Sequence, residues 1–237
     1  MTLKDDLVAD VSSLAITSWD DIPLGRVVPD TTDTRLTHSN TGIYIDGTVL
    51  YADLDGSTKM VDSLDATRSA EYYKAYLHCA AKIVKDDGGS ITAYDGDRIM
   101  AIFIGDTQAT DAVRSAFKIN WAIENIVNPS FLAVYGIRHR QLGHTIGIDS
   151  GRLLASKIGI RRDADMVWVG PAANYAAKLN SFEGIDSDYS VRITTRTHTK
   201  LNGQYQQTNS GDAVWDGPYN NLGEVNHYRS SCIFQMD

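Results

Sequence analysis

Apolar residues follow two rhythms along the chain, first one of helical spacing and then one of alternation. Leu3, Leu7, Val8, Val11 and Leu14 recur at helical spacing, so the first fifteen residues read as an amphipathic helix whose apolar stripe needs a partner. Residues 22–40 carry two prolines, runs of Asp and Thr and no period, which marks a connector ending near residue 38. Strand-like runs then begin. Residues 43–45 and 48–54 flank Asp46-Gly47, a two-residue hairpin signal, and residues 90–94 and 98–104 flank a second one at Asp95-Gly96.

Between and after the hairpins lie helices. Tyr73, Leu77, Ala80, Ala81 and Val84 form an apolar face that Gly88-Gly89 ends, and Val113, Ala116, Phe117, Ile123 and Val127 form another that Asn128-Pro129 closes. Further strands are expected at 145–149, 153–157 and 166–169, followed by a helix over 171–179 with Pro171 in its first turn. This order predicts an α/β sandwich, a mixed and mostly antiparallel sheet flanked by helices, and not a doubly wound parallel fold.

Composition narrows the function. The 237 residues hold 22 Lys and Arg against 30 Asp and Glu, a net charge of −8, with 43% hydrophobic residues. That is an ordinary folded, acidic chain, which argues against a nucleic-acid binder. The start MTLKDDLVADV has acids where a secretion signal needs a basic region, and no stretch approaches the ~20 apolar residues of a membrane span. Two cysteines, Cys79 and Cys232, are too few for a disulfide framework. A cytoplasmic protein with no membrane partner is expected. The six histidines show no metal-ligand spacing, and Tyr72, Tyr73 and Tyr76 read as packing.

Two carboxylates stand at strand ends beside glycine: Asp53 in YADLDGST and Asp97 in YDGDRIMAIF. Asp beside Gly is commonly turn chemistry, and Asp95 reads that way. Two aspartates meeting across neighbouring strands would nevertheless suffice for a hard divalent cation, which completes its shell with water and phosphate. Asp55, Gly56, Ser57 and Thr58 lie between a strand and a helix, where backbone N–H groups can receive a triphosphate; the two hydroxyls serve equally well as helix caps.

These segments resemble the catalytic domain of class III nucleotidyl cyclases. TVLYADLDGSTKMVD is similar to that family's first strand and phosphate loop, and ITAYDGDRIMAIF to its metal-binding hairpin. GIDSGRLLASKIG resembles a following strand pair, and MVWVGPAANYAAKLNSFEG the stretch ending in the catalytic helix. The matches keep the family's order from about Gly47 to Gly184, so the resemblance assigns residues 39–237 to a catalytic domain and 1–38 to a docking helix and connector.

The resemblance implies cyclisation of a nucleoside triphosphate: its 3′-hydroxyl attacks the α-phosphate, releasing pyrophosphate and a 3′,5′-cyclic nucleotide. Asp53 and Asp97 would hold two Mg²⁺ or Mn²⁺ ions. Asn174 occupies the place of the family's ribose-orienting Asn, and Lys178 that of its phosphate-stabilising Arg; being four apart, they share one helix face. A homodimer with two composite sites is also implied. The family's purine-reading positions fall on Ala93 and Val167, neither of which can form the hydrogen bonds a purine edge needs. Metal aspartates kept and purine readers replaced is a division similar to that of the pyrimidine cyclases of bacterial Pycsar antiphage systems, which signal to a separate effector protein. UTP ahead of CTP is the expected substrate. Tyr51, two residues before Asp53 and so on its strand face, is a candidate base contact, and Arg98 another, although alternation turns Arg98 away from the face of Asp97. Two alternatives stand beside this one: a non-catalytic nucleotide-binding module, and an adenylate cyclase with unusual base contacts.

Overall fold

A computed structural model describes residues 2–19, 21–181, 188–208, 210–221 and 225–236. The last residues of the catalytic-helix match, 182–184, lie outside them. One mixed sheet organises the chain. Its path runs β2 (Ser90–Asp95), β3 (Arg98–Ile104), β1 (Ile43–Asp55), β4 (Gly143–Ile160), β6 (Val191–Thr194), β8 (His227–Ser230) and β7 (Asp216–Tyr219), and β5 (Asp163–Val169) pairs with the far half of β4. All pairings are antiparallel except β4 with β6, so the expected α/β sandwich is what the chain forms.

Each face of the sheet carries its own apolar layer. Leu50, Ala52 and Leu54 of β1 pack with Ile99, Ala101 and Phe103 of β3 under α3 (Ala66–Asp86) and α4 (Gln108–Ala122). Ile45, Val49, Met100, Ile102 and Leu153 face the other way, under Ala172, Ala173 and Ala176 of α6 (Pro171–Asn180). Small residues let α6 lie close to the sheet. A Cβ on Gly147 would come within 2.1 Å of the Ala176 carbonyl oxygen, so only glycine fits beneath the helix there.

Three turn signals are overridden. Asp46-Gly47 makes no hairpin, because β1 runs unbroken from Ile43 to Asp55. The strands expected at 145–149 and 153–157 are likewise one strand, β4, continuous through Ser150-Gly151-Arg152. Both departures have one cause: the polar and glycine residues that looked like turns are cross-strand partners. Asp46 pairs with Arg152, Gly47 with Gly151 and Thr48 with Ser150. Arg152 grips both Asp46 oxygens at 2.9 Å, and the Thr48 and Ser150 hydroxyls meet at 2.8 Å. The helix expected to end at Asn128-Pro129 continues instead into α5 (Asn128–Tyr135), through a π-helical turn at Ile123–Val127. A widened turn accommodates the missing N–H of proline. Asn128 is used in a different way, its buried amide bonding both the N–H and the C=O of Leu142.

Helix α1 (Leu3–Ile16) forms as its spacing predicts, with Thr2 and Asp5 in a reciprocal capping box, yet none of its residues is buried. The Asn40 amide fastens its end, donating to the carbonyls of Leu14 and Thr17. No helix among the described residues is long and apolar enough to cross a membrane.

Candidate active site

Strand β1 ends at the top of the sheet beside the β2–β3 hairpin, and this brings Asp53 of β1 together with Asp97 of the hairpin turn. Asp53 is half-buried and hydrogen-bonded to Asp97. Burial first, and the Asp97 charge second, push the Asp53 carboxyl up from its ordinary 3.8 to about 7. Asp97 Oδ2 is buried with no partner among the described residues. A proton shared between two carboxylates and a buried oxygen left unsatisfied are what a cation between them would relieve. Two carboxylates are few, and no group of three His, Cys, Asp or Glu side chains forms among the described residues. That donor set fits Mg²⁺ or Mn²⁺, which leave positions for water and phosphate.

The loop after β1 turns at Gly56, whose φ of 65° lies in the left-handed region that favours glycine. Ser57 and Thr58 then open α2 (Ser57–Ser63). Gly56 is the capping residue of that helix, so neither hydroxyl sits at its N-cap. Asp55 closes the β1–β4 ladder opposite Gly143 and lines a polar cavity of about 200 Å³ with Asn120, His144 and Arg192. Burial lowers the His144 imidazole to about 4, so it stays neutral beside the Asn120 amide oxygen at 2.7 Å.

Two neighbours of this loop escaped the sequence reading. Arg140 donates to the Gly56 carbonyl at 3.1 Å and so sets a cation beside the loop. Tyr73, one of the three helical tyrosines read as packing, does pack against the core and also bonds Ser57; burial first, and then the charges of Asp97 and Asp53, raise its phenol. Tyr72 and Tyr76 are fully buried as expected. No sequence signal separates Tyr73 from its neighbours, because the three fall on one helix and only packing decides which faces the loop.

Tyr51, Met100 and Ala93 form a row across β1, β3 and β2, so Ala93 shares a sheet face with Tyr51. Ala93 itself is exposed at the edge of the sheet. Arg98 is in phase with Met100 and therefore lies on this face too, its guanidinium 5.6 Å from the Tyr51 ring centre and 2.7 Å from Asp95. Alternation does not carry from Asp97 to Arg98, because Asp97 lies in the turn. Val167 sits on β5, opposite Ser156, and β5 does not neighbour β2, so one chain does not assemble the two purine-reading positions side by side.

Asn174 and Lys178 emerge together on the exposed face of α6. Neither forms a hydrogen bond or ion pair with the aspartate pair among the described residues. A cavity of about 900 Å³ between α3 and the C-terminal segment, lined by His78, Lys82, Ile91 and Phe234, contains none of these residues. The chain thus carries two separate groups, a carboxylate pair with its loop and a helix bearing an amide and an ammonium.

This sheet with its acidic hairpin defines a nucleotidyl cyclase domain, and residues 43–228 match the model of the adenylate and guanylate cyclase catalytic domain; the chain belongs to that family and is a class III-type nucleotidyl cyclase. Among its relatives, a uridylate cyclase of Xanthomonas perforans is 44% identical over the whole of both chains. Another, from Burkholderia cepacia, is 42% identical over 91% of each. The crystal structure of the guanylyl cyclase Cya2 shares the fold at a TM-score of 0.66, with 21% identity across 82% of this chain and 95% of that one.

Proposed function

We propose that the chain, as a homodimer, cyclises a pyrimidine nucleoside triphosphate, UTP ahead of CTP, to its 3′,5′-cyclic nucleotide and pyrophosphate. The observation that carries this reading is the carboxylate pair, in which the raised Asp53 carboxyl is hydrogen-bonded to Asp97 and the Oδ2 of Asp97 is buried without a partner among the described residues. Asp53 and Asp97 would hold two Mg²⁺ or Mn²⁺ ions, which when bound acidify the attacking hydroxyl and neutralise phosphate charge. In the reaction the substrate's 3′-oxygen bonds to the α-phosphorus, the bond to the bridging oxygen of the β-phosphate breaks, and the hydroxyl proton leaves to solvent. The Gly56–Thr58 backbone receives the phosphates, with Arg140 at its side. Asn174 orients the ribose and Lys178 meets the transition-state phosphate as a point charge. Because these last two have no contact with the carboxylates of their own chain, a head-to-tail homodimer completes each site. Residues 39–237 form the catalytic unit and 1–38 a docking helix with its connector.

Pyrimidine preference is supported by the row of Tyr51, Met100 and Ala93. With no charged reader at Ala93 or Val167, a purine edge would be left unpaired, whereas the Tyr51 phenol, kept neutral by burial, can narrow the pocket and donate to a smaller ring. Arg98, whose guanidinium lies beside that ring, would donate to a pyrimidine carbonyl. The similarity to enzymes named uridylate cyclase favours UTP, and with the Pycsar resemblance it supports an antiphage second messenger read by a separate effector in the cytoplasm. The test is incubation with each of ATP, GTP, CTP and UTP plus Mn²⁺, followed by chromatography. A cyclic pyrimidine product that is lost with Asp97→Ala is expected. Faster turnover of ATP or GTP would overturn the base assignment, and binding without turnover of any triphosphate would overturn catalysis.

A further inference from the structure

Lysine at position 178 puts a flexible four-carbon stem where the family has a planar guanidinium, so something must hold its charge in place. We propose that Tyr175 is the positioning residue that does so, by offering its ring to the Lys178 ammonium while an Arg196–Asp149 ion pair anchors the same ring to the sheet. The inference rests on Lys178 meeting the substrate phosphate. Lys178 Nζ lies 5.1 Å from the Tyr175 ring centre, one helical turn back, and Lys178 has no ion pair among the described residues. Arg196, on α7 (Thr195–His198), brings its guanidinium carbon to 5.4 Å from that ring centre. Both distances are within the ~6 Å at which a cation is drawn to an aromatic face.

Arg196 is itself firmly held. Its Nε donates to Asp149 Oδ1 at 2.6 Å and its Nη2 to Oδ2, a bidentate pair with a carboxylate that is fully buried in β4. Asp149 also accepts the Ser150 N–H at 2.8 Å and the Thr194 hydroxyl, which ties the pair to both β4 and β6. Two cations at one ring would repel if both were bare. The Asp149 carboxylate balances Arg196, so the ring can hold a second positive group. The chain of contacts runs from a buried acid through arginine and tyrosine to the lysine, and gives a flexible side chain a fixed resting place.

The experiment uses the full-length protein with the triphosphate that the wild type cyclises fastest, and compares Tyr175→Leu, Tyr175→Phe, Lys178→Ala and the Tyr175→Leu/Lys178→Ala double variant. Losing the ring should lower kcat about threefold to fivefold while KM stays within about twofold. Tyr175→Phe, which keeps the ring, should restore the wild-type rate, and Tyr175→Leu should cost nothing further once Lys178 is alanine. A second readout does not depend on turnover: in ¹³C-lysine-labelled protein the Lys178 ε-methylene protons should be ring-current shifted in the wild type and Tyr175→Phe, and unshifted in Tyr175→Leu. An unshifted wild-type resonance, equal losses for leucine and phenylalanine, or an undiminished leucine effect without Lys178 would each overturn the proposal. Wild-type turnover that survives Lys178→Ala would remove its premise and leave the cyclase reading intact. A wild type that cyclises none of the four triphosphates would remove both.

Discussion

Replacing Asp53 with asparagine should stabilise the metal-free protein at pH 8, and at pH 5 by only about a third as much. In the folded chain the Asp53 carboxyl is raised from 3.8 to about 7, by burial first and by the Asp97 charge second. A carboxyl raised on folding binds its proton more tightly in the native state. Its favourable contribution is complete below pH 4 and is lost as pH rises towards 7, above which the native state carries an ionised group that burial and Asp97 both oppose. Asparagine has the shape of the protonated acid and carries no such charge. A shift of this size corresponds to about 4 kcal/mol at 1.36 kcal/mol per pH unit, and solvent contact at the half-buried carboxyl reduces it to about 2. For a domain of this length that is a rise in Tm of about 4–8 °C. Thermal melts of EDTA-treated wild type and Asp53→Asn at both pH values measure it. A gain of equal size at pH 5 and pH 8, or none at pH 8, would refute the argument from the carboxylate pair. Saturating Mn²⁺ should reverse the order at pH 8, stabilising the wild type and not the variant.

Gly147→Ala should lower Tm by about 6–12 °C, since the added methyl meets backbone of α6 and forces the helix off the sheet at a cost of about 3 kcal/mol; a shift under about 2 °C would mean that α6 does not lie on β4 in solution. Mixing Asp53→Ala chains with Asn174→Ala chains should recover up to about half of the wild-type activity per heterodimer, because one of the two composite sites is then intact. Each parent alone should be inactive, and a mixture no better than its parents would place the whole site within one chain.

The sequence by itself determined the local elements and the residue chemistry. Period and caps gave α1, α3, α4, α6 and the β2–β3 hairpin, since each rests on contacts within a few residues. Motif order singled out Asp53, Asp97, Asn174 and Lys178 as candidates, because those residues belong to short runs of fixed spacing. The tertiary structure alone decided how long β1 and β4 run: Asp46-Gly47 and Ser150-Gly151-Arg152 look like turns in isolation, and only their pairing, more than a hundred positions apart, makes them strand. It also put Arg98 beside Tyr51, turned Tyr73 to Ser57 and set Arg140 at Gly56. The Asp149–Arg196–Tyr175–Lys178 contacts belong to the same class, joining β4, α7 and α6. The physical reason is common to all of these: hydrophobic rhythm and turn chemistry act over neighbours, whereas hydrogen-bond partners, ring contacts and the raised carboxyl at Asp53 depend on which distant segments the folded sheet brings together.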